Sequence, residues 1–483
     1  MFKLVSQKIN IPTEVISAIF IIIFVSLFVS ANFAMGFIWP LFALTMLVSF
    51  VVAVAYPRGG VLAIVFLTMV WERFFTLQTF FIGKSEYKLY PLDILLLGIF
   101  IGILAQYLFG QKKIQLKKAD WMLVGFIALN VIYFFWSLFI LKTNMSLAFS
   151  SLKNYAFYSL LYFVMLFLFQ TKEDWQKLFQ FFLAGAIALI GFVVFGYVSG
   201  EGLWSGYTPL STDGVRKLAF THGLYLTLAF FPMMLWLLWQ EKGGQLKNKL
   251  AYFLLAVWLI GIIGTLMRHL WIAMAGAFML LLIFLPKERK KRIRGFVFKF
   301  ITPFAIAGIF IFYAASMNPQ SNFARSLDKS LGVVSTRAVS LVSSNEDESF
   351  AWRSLVWQSA YARFKTNPVF GIGTGESIYV ESNGYRDFIE IRNVHNSYLA
   401  ILFQLGFFGI LFFLLFIYKN VHTLFSSGGD AQYTFYKFSV LAVLAIYLLV
   451  LPFQPYLETN LMAILFWMSL GLARVLPEIK LEK

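Results

Sequence analysis

One of the four histidines, His395, is flanked on both sides by polar residues, in Arg392-Asn393-Val394-His395-Asn396-Ser397-Tyr398. There a long polar segment runs into an apolar one. An imidazole titrates near neutrality and can accept the proton of a hydroxyl, so the chemistry available at His395 is that of a general base. Asn396 or Ser397 is suited to cap the following helix, because their side-chain oxygens accept the free N–H groups of a first turn. Such a cap would hold His395 rigidly at the boundary. The bland alternative is a polar interfacial residue that only ends a helix.

Four arginines could act with it. Arg216 lies in Asp213-Gly214-Val215-Arg216-Lys217, just before an apolar run that begins at Leu218. Arg268, beside His269, sits in a very short bend between the apolar runs Ala251–Met267 and Leu270–Leu285. A bend so short keeps Arg268 near membrane depth, where an unpaired charge is costly and functional use is the default expectation. Arg353 falls on an amphipathic stretch, and Arg392 is three residues before His395. Guanidinium groups offer paired N–H donors at the spacing of phosphate oxygens, so the set reads as a clamp for a lipid diphosphate. Ordinary snorkelling or a solvated face is the alternative for each. His222, in Thr221-His222-Gly223, is placed near Arg216 or packed structurally, and His422 lies on a connecting loop.

Among the acids, Glu72-Arg73 and Asp93 mark the ends of two apolar runs, and Asp93 suits a helix start. Glu346-Asp347-Glu348 is a candidate for a divalent cation, but three consecutive acids in a polar loop read as a solvated run and helix start, and nothing nearby supplies metal-ligand spacing; no metal and no cofactor are expected. With no cysteine, thiolate chemistry and disulfides are excluded. Gly371-Ile372-Gly373-Thr374-Gly375 is not a phosphate cradle, since no strand precedes it and the P-loop lysine is missing; it reads as a flexible turn.

The elements that must position these groups are membrane helices. The chain is 60% apolar, holds 57 Phe and 13 Trp, and has a mean hydropathy of +0.77. Apolar runs recur near 15–31, 37–55, 60–80, 91–109, 121–141, 147–169, 177–198, 218–239, 250–267, 270–285, 296–316, 397–418, 436–453 and 458–475. The fold class expected is therefore all-α, a polytopic integral membrane protein of about fourteen transmembrane helices, with residues 1–483 as one membrane domain. The first run follows Lys3 and Lys8 like a signal peptide, yet further spans follow at once, and a retained helix is expected.

Charge sets the expected orientation. With a cytoplasmic N-terminus, 24 Lys and Arg fall in inward segments and 16 in outward ones. Eight of those 16 lie in the single loop 316–393, which is long enough to be exempt from the rule. Both termini are thus expected in the cytoplasm. The net charge of +17 reports this asymmetry and not nucleic-acid binding. Within the large outward loop, Asp347–Thr366 spaces Phe350, Trp352, Leu355, Val356, Tyr361 and Phe364 as an amphipathic helix, stopped by Asn367-Pro368. Phe323–Ser343 is also expected to be helical, and the loop is expected to act as a lid.

Taken together, these residues resemble the bacterial O-antigen ligase and O-antigen polymerase superfamily of membrane glycosyltransferases. Val394-His395-Asn396-Ser397-Tyr398-Leu399 with Leu405-Gly406-Phe407-Phe408-Gly409 is similar to the family's His-Asn element after its large loop. Arg353 to Trp357 is similar to its Arg-x-x-x-Trp pattern, and Pro368 to Gly373 to its Pro-x-x-Gly-x-Gly pattern. Arg216 resembles the arginine ahead of its short Gly-containing segment, and Arg268 the arginine of its helix–helix bend. Leu218-Ala219-Phe220 and Met267-Arg268-His269 depart from the commoner family residues. The resemblance covers 214–418 in detail.

The resemblance implies an inverting, metal-independent C-type glycosyltransferase of the bacterial cytoplasmic membrane, with its active site on the outer face. Its donor would be an oligosaccharide on polyprenyl pyrophosphate and its acceptor a glycan or lipid. A flippase and a chain-length regulator are the implied partners. His395 would be the base, Arg216, Arg268 and Arg353 the pyrophosphate ligands, and Asn396, Tyr398 and His222 supporting groups. A lipid-linked-oligosaccharide flippase or secondary transporter is the rival class. Transporters tend to place broken polar helices in paired repeats at the midplane, and no such pairing is seen here.

Overall fold

The computed structural model describes residues 12–77, 80–82, 85–87, 89–110, 116–199, 216–240, 245–339, 348–382 and 384–479. The helices are α1 (Thr13–Met35), α2 (Trp39–Ala55), α3 (Pro57–Leu77), α4 (Pro91–Leu108), α5 (Lys118–Phe139), α6 (Met145–Leu168), α7 (Lys172–Val198), α8 (Phe220–Trp239) and α9 (Gln245–Gly264). They continue as α10 (Arg268–Phe284), α11 (Lys287–Met317), α12 (Asn322–Val339), α13 (Glu348–Phe364), α14 (Ser397–Ser426), α15 (Ala431–Val450) and α16 (Ala463–Val475). Two antiparallel hairpins complete the secondary structure, β1–β2 (Phe80–Ile82, Ser85–Tyr87) and β3–β4 (Ser377–Ser382, Tyr385–Glu390).

Among the described residues, nine helices are long and apolar enough to cross a membrane: α1, α4 to α9, α14 and α15. The other five expected runs form helices that fall short by this measure. α2 and α10 have 17 residues each and α16 has 13. α3 carries Arg58, Glu72 and Arg73, and in α11 the apolar stretch counted among the described residues is Gly308–Met317.

The chain divides into two compact units, Met1–Gln115 with Val164–Gly185, and Leu116–Phe163 with Ala186–Lys483. In the first, α1 packs on α3 and α2 on α4. Glycines make the close approaches: Gly98 and Gly102 of α4 lie against the Phe50 and Val54 carbonyls of α2, where a Cβ would collide. Lys177 pairs with Glu14 at 2.5 Å, and Asp93 accepts the Tyr90 N–H at 3.0 Å, the helix-start role expected of it.

The second unit holds α14 against α5, α10 against α15, and α8 against α9 and α15. The stretch between α11 and α14 has a small core of its own, formed by Val356, Ala360 and Phe364 of α13, Ile378 and Val380 of β3, and Ile391, Val394 and Phe403. The amphipathic helix thus runs over Glu348–Phe364, but its expected apolar face is only partly used. Phe350, Trp352 and Tyr361 remain exposed. The β3–β4 hairpin is an addition to the two helices and the turn expected in the loop.

Gly371–Gly375 is not the flexible turn expected. It is buried and docked on α14: Ile372 N–H donates to the Phe403 carbonyl at 2.8 Å and Gly373 N–H to that of Gln404 at 3.1 Å. Those carbonyls are available because α14 breaks at Gly406 (φ 67°), and Phe407 N–H turns instead to the Pro368 carbonyl at 3.2 Å. Gly371, with φ 75°, and Gly406 face each other so closely that a Cβ on either would meet backbone. Glycine is required there on both counts, for the left-handed backbone and for the close approach.

Candidate functional site

His395 stands at the entry to α14. The Asn396 side chain accepts the Leu399 N–H at 3.1 Å, so the expected cap forms. His395 itself has φ 54°, an uncommon backbone state for a residue with a Cβ and one that points to a fixed position. The residue before it is tied to the loop unit: Trp357 Nε1 donates to the Val394 carbonyl at 2.7 Å. Arg353 lies one turn earlier on α13, on the same face as Trp357. It acts electrostatically on His395.

The imidazole is oriented by a turn the sequence reading passed over, the stretch between α15 and α16. His395 Nδ1 lies 3.0 Å from Gln454 Oε1. An amide oxygen only accepts, so Nδ1 carries the proton and Nε2 presents its lone pair. Burial holds the His395 pKa below its ordinary value of 6.5, the Gln454 hydrogen bond opposes this, and the charge of Arg353 adds to the lowering. The ring is neutral at neutral pH, as a base must be.

Glu458 anchors that turn. Its carboxylate accepts the Ser397 Oγ–H at 2.6 Å and the Tyr155 hydroxyl, and its backbone carbonyl accepts Asn154 Nδ2 at 2.6 Å. Ser397 also receives the Leu457 N–H at 3.3 Å, and its own N–H donates to the Leu451 carbonyl at 2.9 Å. Burial pushes the Glu458 pKa up to about 7, against the opposing hydrogen bonds from Ser397 and Tyr155.

From Gln454 the same turn leads to the arginines. Tyr456 N–H donates to the Gln454 carbonyl at 2.9 Å, and the Tyr456 hydroxyl lies 2.6 Å from His269 Nε2. Three guanidinium groups act on the His269 ring, Arg353 most, then Arg216 and Arg268. Arg216 is buried, and Lys217 N–H donates to the Gly264 carbonyl at 2.9 Å, which fastens the segment before α8 to the bend before Arg268. The bend itself holds Leu266 at φ 56°. The charges of Arg216, Arg268 and Arg353 thus bear on His269, and that of Arg353 bears on His395 as well.

The remaining candidates lie elsewhere in the network. The Tyr398 hydroxyl donates to the Leu448 carbonyl at 3.1 Å, clasping α14 to α15. His222 is buried and stacked on Phe192, with ring centroids 4.6 Å apart. Arg392 pairs with Glu390 at 2.5 Å and with the Ser150 hydroxyl. His422 meets the Tyr418 ring in a tilted contact, with centroids 5.6 Å apart. Glu346 and Asp347 lie outside the described residues, and among the described residues no group of three His, Asp or Glu converges as a metal site requires.

Gln454, Tyr456 and Glu458, together with the role of His269, are what sequence reasoning missed. The available signal was the polar interruption Gln454-Pro455-Tyr456-Leu457-Glu458 between two apolar runs.

Among known families, residues 251–414 match the model of the O-antigen ligase family. The match runs from within α9 to within α14 and takes in Arg268, Arg353, Trp357 and His395. It supports the resemblance to the O-antigen ligase and polymerase superfamily, and the apolar helices support a multi-pass membrane protein. No curated protein matches the chain.

Proposed function

With residues 251–414 matching the O-antigen ligase family as premise, we propose that this protein transfers a glycan from polyprenyl pyrophosphate to an acceptor hydroxyl in surface-polysaccharide assembly, as polymerase or ligase. The reaction is a single displacement. The acceptor oxygen attacks the anomeric carbon, whose bond to the pyrophosphate oxygen breaks with inversion. The electron pair leaves on polyprenyl pyrophosphate, and the hydroxyl proton passes to His395 Nε2.

Two demands follow: a neutral base near the acceptor and fixed positive charge near the leaving group. The observation that carries the reading is the continuous path from His395 through Gln454 and Tyr456 to His269, on which Arg216, Arg268 and Arg353 act. His395 and His269 are linked through one short turn, and the charges of the three arginines bear on His269, which supports placing base and leaving-group charge in one site. Permanent guanidinium charge serves a diphosphate as a divalent cation does elsewhere, without proton bookkeeping. Gln454 is a positioning residue that selects the tautomer. Asn396 holds the start of α14, Tyr398 its packing, and His222 the environment of α8.

In this reading the chain sits in the bacterial cytoplasmic membrane with about fourteen spans and both termini inside. The site lies at the outer leaflet under the lid 316–393. A flippase would supply the donor and a regulator would set chain length. The test is reconstitution in liposomes with radiolabelled lipid-linked repeat units. Lengthening on the polyprenol is expected of a polymerase, and transfer to a second lipid of a ligase. Passage of the label across the bilayer with no new glycosidic bond would instead establish the rival flippase or transporter.

A further inference from the structure

A second polar site lies at the other end of α14. A cavity of about 490 Å³ is lined by Lys117, Lys118, Lys419, Asn420, Thr423 and Arg474. Its floor is built and buried: Arg474 donates to Asp120 at 3.2 and 3.3 Å, and Tyr162 bridges Asp120 at 2.5 Å and Asn420 at 3.2 Å. Arg474 also pairs with Glu478 at 2.8 Å, and Lys117 pairs with the same carboxylate. Those two acids offset Arg474 and Lys117. No acidic side chain pairs with Lys118 or Lys419 among the described residues, so the cavity keeps a surplus of two positive charges.

Depth identifies the kind of anion. Lys419 lies 22 residues beyond Ser397 on α14. At about 1.5 Å per residue this is roughly 33 Å of path along the two helical segments that meet at Gly406, enough to cross the roughly 30 Å of a bilayer's hydrocarbon core. The cavity is therefore at headgroup level in the leaflet opposite His395. Leu116 adds an apolar edge to it, and Trp121, one turn into α5, is 60% exposed, the position of an interfacial aromatic.

We infer that this cavity binds the phosphate headgroup of an anionic glycerophospholipid in the leaflet opposite His395, with Lys118 and Lys419 on the phosphate and Asn420 and Thr423 beside it. A juxtamembrane lysine adds attraction for anionic lipid, and here two are set over a preformed hollow. The site is separate from glycan transfer and stands or falls without it.

Native mass spectrometry of the delipidated full-length protein in detergent tests this, with phosphatidylglycerol, phosphatidylcholine and inorganic phosphate as probes. One phosphatidylglycerol is expected to bind about tenfold more tightly than phosphatidylcholine, and Lys118→Gln/Lys419→Gln is expected to remove that preference. Both lysines are exposed, so the variant should keep its melting temperature. If it does not, each single variant should weaken phosphatidylglycerol about fivefold. Equal binding of the two lipids, or variants that bind like wild type, would overturn the site. Displacement of phosphatidylglycerol by an equal concentration of inorganic phosphate would assign the cavity to free phosphate and overturn the lipid assignment.

Discussion

Replacing Gln454 by Glu puts a carboxylate where an amide oxygen now lies 3.0 Å from His395 Nδ1. At that distance and an effective dielectric of about 20, the attraction for an imidazolium is about 5 kcal/mol, or about 4 pH units. The cost of keeping the new carboxylate charged in a half-buried site reduces this, and opposite charges at such range typically raise a pKa by about 1–3 units. The sign is fixed by the chemistry: a protonated imidazole cannot accept the acceptor's proton, so the rate falls below the His395 pKa. In wild type that acid limb lies below the ordinary histidine value of 6.5, because burial and Arg353 depress it. In Gln454→Glu the limb should move up by about 1–3 pH units, lowering the rate at neutral pH and restoring it at alkaline pH. Initial rates with the lipid-linked donor across the pH range read this directly, alongside the NMR titration of His395. A limb that stays in place while the NMR pKa rises would refute His395 as the base. An unmoved NMR pKa would refute the Gln454 contact.

Three further outcomes are expected. Arg268→Lys keeps the charge but loses the paired donors, which should lower kcat about 10- to 100-fold, the equivalent of one charge-assisted hydrogen bond of about 1.5–3 kcal/mol. Wild-type kinetics would make Arg268 a membrane anchor only. Trp357→Phe removes the 2.7 Å bond to the Val394 carbonyl, so it should cost about 1 kcal/mol of stability and several-fold in kcat. A Tm drop with kcat unchanged would separate that bond from the placement of Arg353 and His395. Glu458 has a folded pKa near 7, above the ordinary 4.5, so its contribution is fully present below about pH 4.5 and lost as pH rises through about 7. Up to about 3 kcal/mol is involved, and Glu458→Gln should flatten the fall of Tm between those values; parallel curves would contradict a buried, titrating Glu458.

The junction at His395 was legible because a cap residue follows an imidazole where polar sequence meets apolar, a local signal. The arginines were legible too, since charge beside a very short bend or just before a span is conspicuous. Gln454, Tyr456 and Glu458 were not. Their partners lie 59 residues or more away in sequence, and a short polar interruption between spans looks like any other span boundary. The glycines at 371–375 misled for a related reason. Glycine serves free motion and tight approach equally, and only the facing Gly406 decides between them. The β3–β4 hairpin had a readable mark in Asn383-Gly384, a favoured two-residue turn, which the helical spacing of the neighbouring stretch overshadowed.

The most direct measurement is glycan transfer by purified His395→Ala in liposomes loaded with labelled lipid-linked repeat units, set beside its melting temperature. The expected result is loss of product with donor binding and Tm close to wild type. Product formed at the wild-type rate would contradict proton transfer to His395, and with it the proposed reaction at this site.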